Sequence, residues 1–177
     1  MSGGIGIIGC GLIGRKRANA LGGRRLAACA DLDRSLAAAL AASASDCLAT
    51  DDWREVVNHD DVAAVIIATP HHMLAEICAG AIDAGCHVLV EKPAARNADE
   101  LRPLLRLAEE KKVLVRVGFN HRYHRAVQKM REIIDSGALG SLMFLRARYG
   151  HGGRVGYDRE WRAQPLLSGG GELIDQG

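Results

Sequence analysis

Three glycines, an aspartate and a lysine carry most of the chemistry legible in this chain. Gly9, Gly11 and Gly14 form a Gly-x-Gly-x-x-Gly pattern, preceded by an apolar run and followed by a helical one. In that setting Gly9 permits a tight turn, Gly11 lets a diphosphate approach the backbone, and Gly14 lets helix and strand pack closely. The first-turn amides around Leu12 and Ile13 then point at the anion, aided by the helix dipole. Asp31 ends the second apolar run, 17 positions past Gly14 (from 14 to 31), where a carboxylate accepts from the adenosine ribose hydroxyls. Its charge opposes a 2′-phosphate and so favours NAD; Arg34, three residues on, could offset this, leaving NADP open. The plain alternative is a glycine turn in a domain that binds something else.

Lys92, in Glu91-Lys92-Pro93, follows a buried run at what should be the ligand-binding edge of a parallel sheet. Desolvation and a nearby positive nicotinamide ring would ease loss of its proton, making it a base for an alcohol as hydride leaves the carbon. The alternative is a surface lysine before a proline turn. A third arrangement, His121, His124 and His151, could serve zinc, although no cysteine or acidic fourth ligand is evident.

The elements that must position these residues alternate between short apolar runs and helical patterns. Strands are expected at Gly4 to Gly9, Leu26 to Ala30, Val62 to Ala68, His87 to Val90 and Val113 to Val117. Between them fall helices from Leu12 to Leu21 and from Arg34 to Ala42, and a short one through Val57 behind an Asp52/Glu55 capping box. A further helix carries Leu74, Ile77, Cys78, Ala81 and Ile82 on one face and stops at Gly85; another runs from an Asn97 cap to Lys112, kinked at Pro103. The alternation specifies an α/β, doubly wound Rossmann sheet over residues 1–120. Residues 121–177 read as the incomplete start of an α+β substrate domain, with a helix from Arg125 to Ser136 and a long strand from Leu142 to Tyr149.

Composition narrows the partners. Of 177 residues, 48% are hydrophobic and 25% charged, the balance of a globular chain rather than a disordered one. A net charge of +2, scattered basic residues and 4% aromatics give no footprint for nucleic acid. No apolar stretch is long enough for a bilayer, and the start lacks the pattern of a signal peptide. Five cysteines at 10, 29, 47, 78 and 86, without a Cys-x-x-Cys pair, fit reduced thiols in a cytoplasmic protein.

Beyond these patterns the chain resembles the Gfo/Idh/MocA oxidoreductases, the family of glucose–fructose oxidoreductase and inositol dehydrogenase. The resemblance rests on residues 9–14, Ala-Thr-Pro at 68–70, Ala-Gly-Cys-His-Val-Leu-Val-Glu-Lys-Pro at 84–93, Val-Gly-Phe-Asn-His-Arg-Tyr at 117–123 and Gly-Gly-Gly-Glu-Leu-Ile-Asp-Gln-Gly at 169–177. It implies that Lys92 is the catalytic lysine and Asp175 the aspartate of a Gly-Gly-Gly-x-Leu-x-Asp-x-Gly-x-His motif. Thr69, Pro70 and Glu91 would line the cofactor, while Asn120, Arg122, Trp161 and Arg162 would face substrate. The family often has Asn and His where this chain has His71 and Leu74, so either His71 or His72 becomes the candidate ribose contact.

The motif's histidine would be residue 179, whereas the sequence stops at Gly177. On a helix that histidine would share a face with Asp175, the two converging on one substrate hydroxyl. The expectation is therefore a fragment, inactive alone, of an NAD-dependent (or NADP-dependent) enzyme acting on a secondary alcohol or ketone of a sugar, cyclitol or nucleotide sugar. The resemblance also implies a homo-oligomer at full length. The alternative is a non-catalytic NAD(P)-binding module.

Overall fold

The computed structural model describes residues 3–148, 150, 155–170 and 174. Six strands, β1 (Gly4–Ile8), β2 (Leu26–Ala30), β3 (Leu48–Thr50), β4 (Val62–Ile67), β5 (His87–Val90) and β6 (Val115–Val117), form one sheet. Its order is β3-β2-β1-β4-β5-β6 and every neighbouring pair is parallel. That order reverses at β1, which opens a crevice at the carboxyl ends of β1 and β4.

Helices cover both faces: α1 (Leu12–Asn19), α2 (Arg34–Ala41), α3 (Trp53–Val57), α4 (His71–Asp83) and α5 (Ala98–Lys111). Successive strand residues point to opposite faces. Ile7, Cys29 and Ile66 thus pack with Ala37 and Leu40 of α2 in one core layer. Ile8, Ala30 and Ile67 pack with Val56 of α3, Leu74, Ile77 and Ile82 of α4, and Leu104 of α5 in the other. The apolar runs of β1, β2 and β4 are continuous because both of their faces are covered.

Several boundaries differ from the sequence expectation for identifiable reasons. β3 is only Leu48–Thr50, too short to show a period, and is specified by its ladder to β2. β6 begins at Val115 because the Val113 N–H instead closes the end of α5, donating to the Ala108 carbonyl at 3.1 Å after the left-handed Lys112. Asp52 caps α3 by accepting from the Arg54 N–H at 3.0 Å, the second helical amide rather than the third. Pro103 lies inside a continuous α5 on its exposed face, where water can serve the carbonyl that loses its intrahelical partner.

The strand expected at 142–149 does not form over residues 142–148. Among the described residues no strand pairs with it, and Met143 (92% exposed) and Phe144 (82%) stand in the open. β-propensity does not hold an isolated strand without a ladder or a buried face. Before this stretch, α6 (Arg125–Asp135) has no buried residue. After it, 3-10 turns at Tyr157–Arg159 and Trp161–Ala163 lead into α7 (Pro165–Ser168), which packs back onto α4. None of the described helices is long and apolar enough to cross a membrane.

Candidate active site

The turn after β1 has the three glycines in three distinct steric settings. Gly9 adopts φ +93°, and a Cβ there would lie 2.6 Å from the Ala68 carbonyl group. At Gly14 a Cβ would run into the Gly9 carbonyl oxygen, so strand and helix touch backbone to backbone. Around Gly11, by contrast, nothing lies within 4 Å of the Cβ position. Gly11 is also the N-cap of α1 and provides no side-chain acceptor, which leaves the amides at Leu12 and Ile13 without a side-chain cap.

Asp31 sits at the end of β2 with its carboxylate turned onto this loop. Oδ2 accepts from the Cys10 N–H at 2.7 Å and Oδ1 from the Asp33 N–H at 3.0 Å. A carboxylate has about four acceptor positions, so it holds the turn and keeps capacity for further hydroxyl donors. This bracing role was not visible in the spacing alone. Arg34, the first residue of α2, pairs with Asp51 just beyond β3, Nε to Oδ2 at 3.3 Å.

At the end of β4, Thr69 and Pro70 lead into α4. Thr69 Oγ1 and His72 Nδ1 are both buried, and neither has a hydrogen-bond partner among the described residues. Buried polar atoms are rarely left unpaired without a ligand, ion or water to serve them. His71 takes another part: it is 3% exposed, its Nδ1–H donates to the Ser168 carbonyl at 2.9 Å, and its ring meets Trp161 edge-on at 4.6 Å. Of the two candidate ribose contacts, His71 is thus engaged with the chain's own later segment, and His72 holds the orphaned nitrogen.

The Glu91-Lys92-Pro93 corner follows β5, with the Lys92–Pro93 peptide cis. The Glu91 carboxylate faces the protein: Arg17 of α1 donates to its Oε1 through Nε at 2.7 Å and also through Nη2. The same Nη2 donates to Asn120 Oδ1 at 3.0 Å, which places Asn120 beside the corner. Arg17 was missed from the sequence; its only sign there is a cation one helical turn past Gly14. Arg96, also missed, donates to Glu100 at 2.9 Å and to the Leu166 carbonyl at 2.9 Å, tying the later segment to the loop after Lys92.

Trp161 is brought to the start of α4 through His71, and Arg162 stacks over Trp161 at 4.6 Å. Arg122 lies exposed in the 3-10 turn Asn120–Tyr123, in the same turn as Asn120. Asp175 and His151 lie outside the described residues. His124 caps α6, its Nδ1 accepting from the Ala126 N–H at 3.3 Å. Among the described residues no group of three or more His, Cys, Asp or Glu side chains could hold a metal ion.

Comparison with known proteins fits this geometry. Residues 4–119 match the oxidoreductase family with an NAD-binding Rossmann fold, Gfo/Idh/MocA, and residues 127–177 match a C-terminal domain of the same family. The chain belongs to the Gfo/Idh/MocA oxidoreductase family. Levoglucosan dehydrogenase of Pseudarthrobacter phenanthrenivorans is 34% identical over 128 residues, 71% of this chain and 33% of that protein. Inositol 2-dehydrogenase of Gluconacetobacter diazotrophicus is 36% identical over 152 residues, 82% of this chain and 45% of that one. A levoglucosan dehydrogenase solved with NADH and levoglucosan superposes with a TM-score of 0.85 at 28% identity, covering 99% of this chain and 51% of its own. An NAD-binding oxidoreductase from Klebsiella pneumoniae gives a TM-score of 0.77 at 29% identity, covering 99% and 50%. The chain therefore spans a third to a half of the length of these Gfo/Idh/MocA relatives.

Proposed function

We propose that this chain binds NAD(H) along the carboxyl edge of its sheet and serves an enzyme that moves hydride between nicotinamide and a secondary alcohol or ketone of a sugar or cyclitol. One observation carries the reading. The uncapped start of α1, open at Gly11, adjoins a strand end where Thr69 Oγ1 and His72 Nδ1 are buried without partners among the described residues. A helix N-terminus suits a diphosphate, and the orphaned atoms suit the polar groups that would follow it across the crevice.

In this assignment Gly9, Gly11, Leu12, Ile13 and Gly14 hold the diphosphate, and Asp31 accepts from the adenosine ribose. Thr69, Pro70 and His72 line the middle of the site. The bound cofactor supplies a hydride acceptor and a positively charged ring. Lys92 Nζ takes the hydroxyl proton during oxidation and returns it during reduction. Asn120, Arg122, Trp161 and Arg162 face the substrate, with Asp175 as the second proton-handling group. Residues 1–120 form the nucleotide domain and residues 121–177 belong to the substrate domain, in a cytoplasmic homo-oligomer. The polyol substrate class is supported by relatives named for inositol and levoglucosan.

Titration with NADH, followed by cofactor fluorescence, is expected to saturate, and Gly11→Val to abolish binding at an unchanged melting temperature. Absence of saturable binding by the wild-type chain would overturn the reading. In a longer chain that carries the rest of the substrate domain, oxidation of inositols and anhydro-sugars with NAD, compared between the parent and Lys92→Met, separates an enzyme from a binding module: the variant should bind NADH and lose turnover.

A further inference from the structure

Asp51 belongs to none of the motifs discussed above, yet it lies beside the ribose end of the proposed nucleotide site. Parallel pairing sets Ala30 of β2 against Thr50 of β3, so Asp31 and Asp51 leave neighbouring strands at the same level. The Asp31 N–H donates to the Thr50 carbonyl at 3.2 Å, which fixes the two strand ends together. Asp31 is held toward the glycine turn by the Cys10 and Asp33 amides. Arg34, the nearby cation that a 2′-phosphate would need, is directed onto Asp51 instead.

We infer that Asp51 is a cofactor-specificity residue, which withholds the Arg34 guanidinium from a 2′-phosphate and so strengthens the preference for NAD(H) set by Asp31. The inference rests on the nucleotide site proposed above. Its physical basis is competition for one cation. Paired with Asp51, Arg34 has its charge compensated, and a phosphate arriving there meets two carboxylates without a free partner. With Asp51 neutral, the same guanidinium offers a bidentate fork for phosphate oxygens. Arg34 and Asp51 are 74% and 51% exposed, so the pair is a weak surface bridge and the arginine can swing away from it. The effect is therefore a graded preference rather than a switch.

The test is equilibrium binding of NADH and NADPH to the full chain, in wild type, Asp51→Asn, Arg34→Ala and the double variant. Asp51→Asn should tighten NADPH binding about three- to fivefold, the scale of one exposed charge interaction, and leave NADH within about twofold. In the Arg34→Ala background the gain should vanish. Asp61→Asn, which removes a carboxylate paired with Arg25, should leave the NADPH affinity unchanged. A gain that persists without Arg34 would mean simple repulsion by Asp51 and would overturn the inference, as would no gain in Asp51→Asn. Failure of both cofactors to bind the wild-type chain removes the nucleotide site itself, and this inference with it.

Discussion

Arg17 and Glu91 clamp the helix that follows the glycine turn to the corner that carries Lys92. The guanidinium reaches Glu91 through both Nε and Nη2 and spans on to Asn120, with the two paired side chains only 23% and 13% exposed. The corner is further pinned by the Glu91 N–H donating to the Ile67 carbonyl at 2.9 Å. A lysine placed this way has its backbone set relative to α1, so movement at one is felt at the other. Arg17→Met should strand a largely buried carboxylate at a cost of about 1 to 3 kcal/mol, below the full figure for a wholly buried pair because both groups keep some solvent. Urea unfolding of Arg17→Met, Glu91→Gln and the double variant checks this. A coupling energy near zero would show the clamp to be idle.

The three glycines should separate on substitution. Gly14→Ala drives a methyl into the Gly9 carbonyl, and Gly9→Ala meets both the Ala68 backbone and an unfavourable φ of +93°. Each is expected to cost about 2 kcal/mol or more in thermal or urea unfolding. Gly11→Ala adds a methyl in open space and should leave stability within about 0.5 kcal/mol. Its effect falls on ligand affinity, with NADH binding weakened about tenfold or more because the backbone is no longer bare where the diphosphate approaches. Equal destabilisation by all three would contradict the steric distinction.

The thiols predict a loss of stability at alkaline pH. Burial pushes Cys78 up to about 11, and burial together with the neighbouring Cys29 pushes Cys47 up to about 12. A hydrogen bond with Cys10, then burial, raises Cys29 further, and burial raises Cys86. Each raised value means that the folded state resists deprotonation. Below the unfolded value of 9.0 both states keep the proton and no penalty arises; above it the unfolded thiols ionise first and unfolding is favoured. Melting temperature should therefore be flat with respect to these groups between about pH 6 and 8 and fall as pH rises past 9, Cys78 alone accounting for on the order of 2 kcal/mol by about pH 11. Replacing Cys78 with alanine should flatten part of the alkaline slope even as it lowers stability at neutral pH. Unchanged slope in that variant would disprove its contribution.

Most of the sheet was legible because its signals are local. The apolar runs of β2 and β5 coincide with the strands, and the Asn97 cap of α5 accepts from the Glu100 N–H as its spacing indicates. What was not legible depends on contacts across the chain. β3 exists through its pairing with β2, and Asp51 and Arg17 matter because of partners 17 and 74 positions away, from 34 to 51 and from 17 to 91. The run at 142–148 has the composition of a strand but has no neighbour to pair with among the described residues, and composition alone does not supply one. His71 belongs to the same class: its place after Thr-Pro suggested a cofactor contact, and its contacts with Trp161 and Ser168, about 90 positions away, have no local sign.

That last contact makes His71 a latch for the segment that carries Trp161 and Arg162. Its Nδ1–H serves the carbonyl of Ser168, a residue only 1% exposed, while its ring edge packs against Trp161. Arg96 holds the same segment from the other side through the Leu166 carbonyl. His71→Phe keeps an aromatic ring for Trp161 and removes the donor, leaving the Ser168 carbonyl without a partner among the described residues at a cost of about 1 to 3 kcal/mol. The loss should be local, because the sheet and its two core layers do not depend on residues 157–168. In a Trp53→Phe background, which leaves Trp161 as the sole tryptophan, the emission of His71→Phe should shift to the red as the indole becomes wetter. Trypsin should also cut faster at Arg159 and Arg162, with global unfolding by far-UV circular dichroism nearly unchanged. If emission and cleavage match the parent, the segment is held by Arg96 and packing rather than by His71, and the double variant with Arg96→Ala would then be the one that releases it.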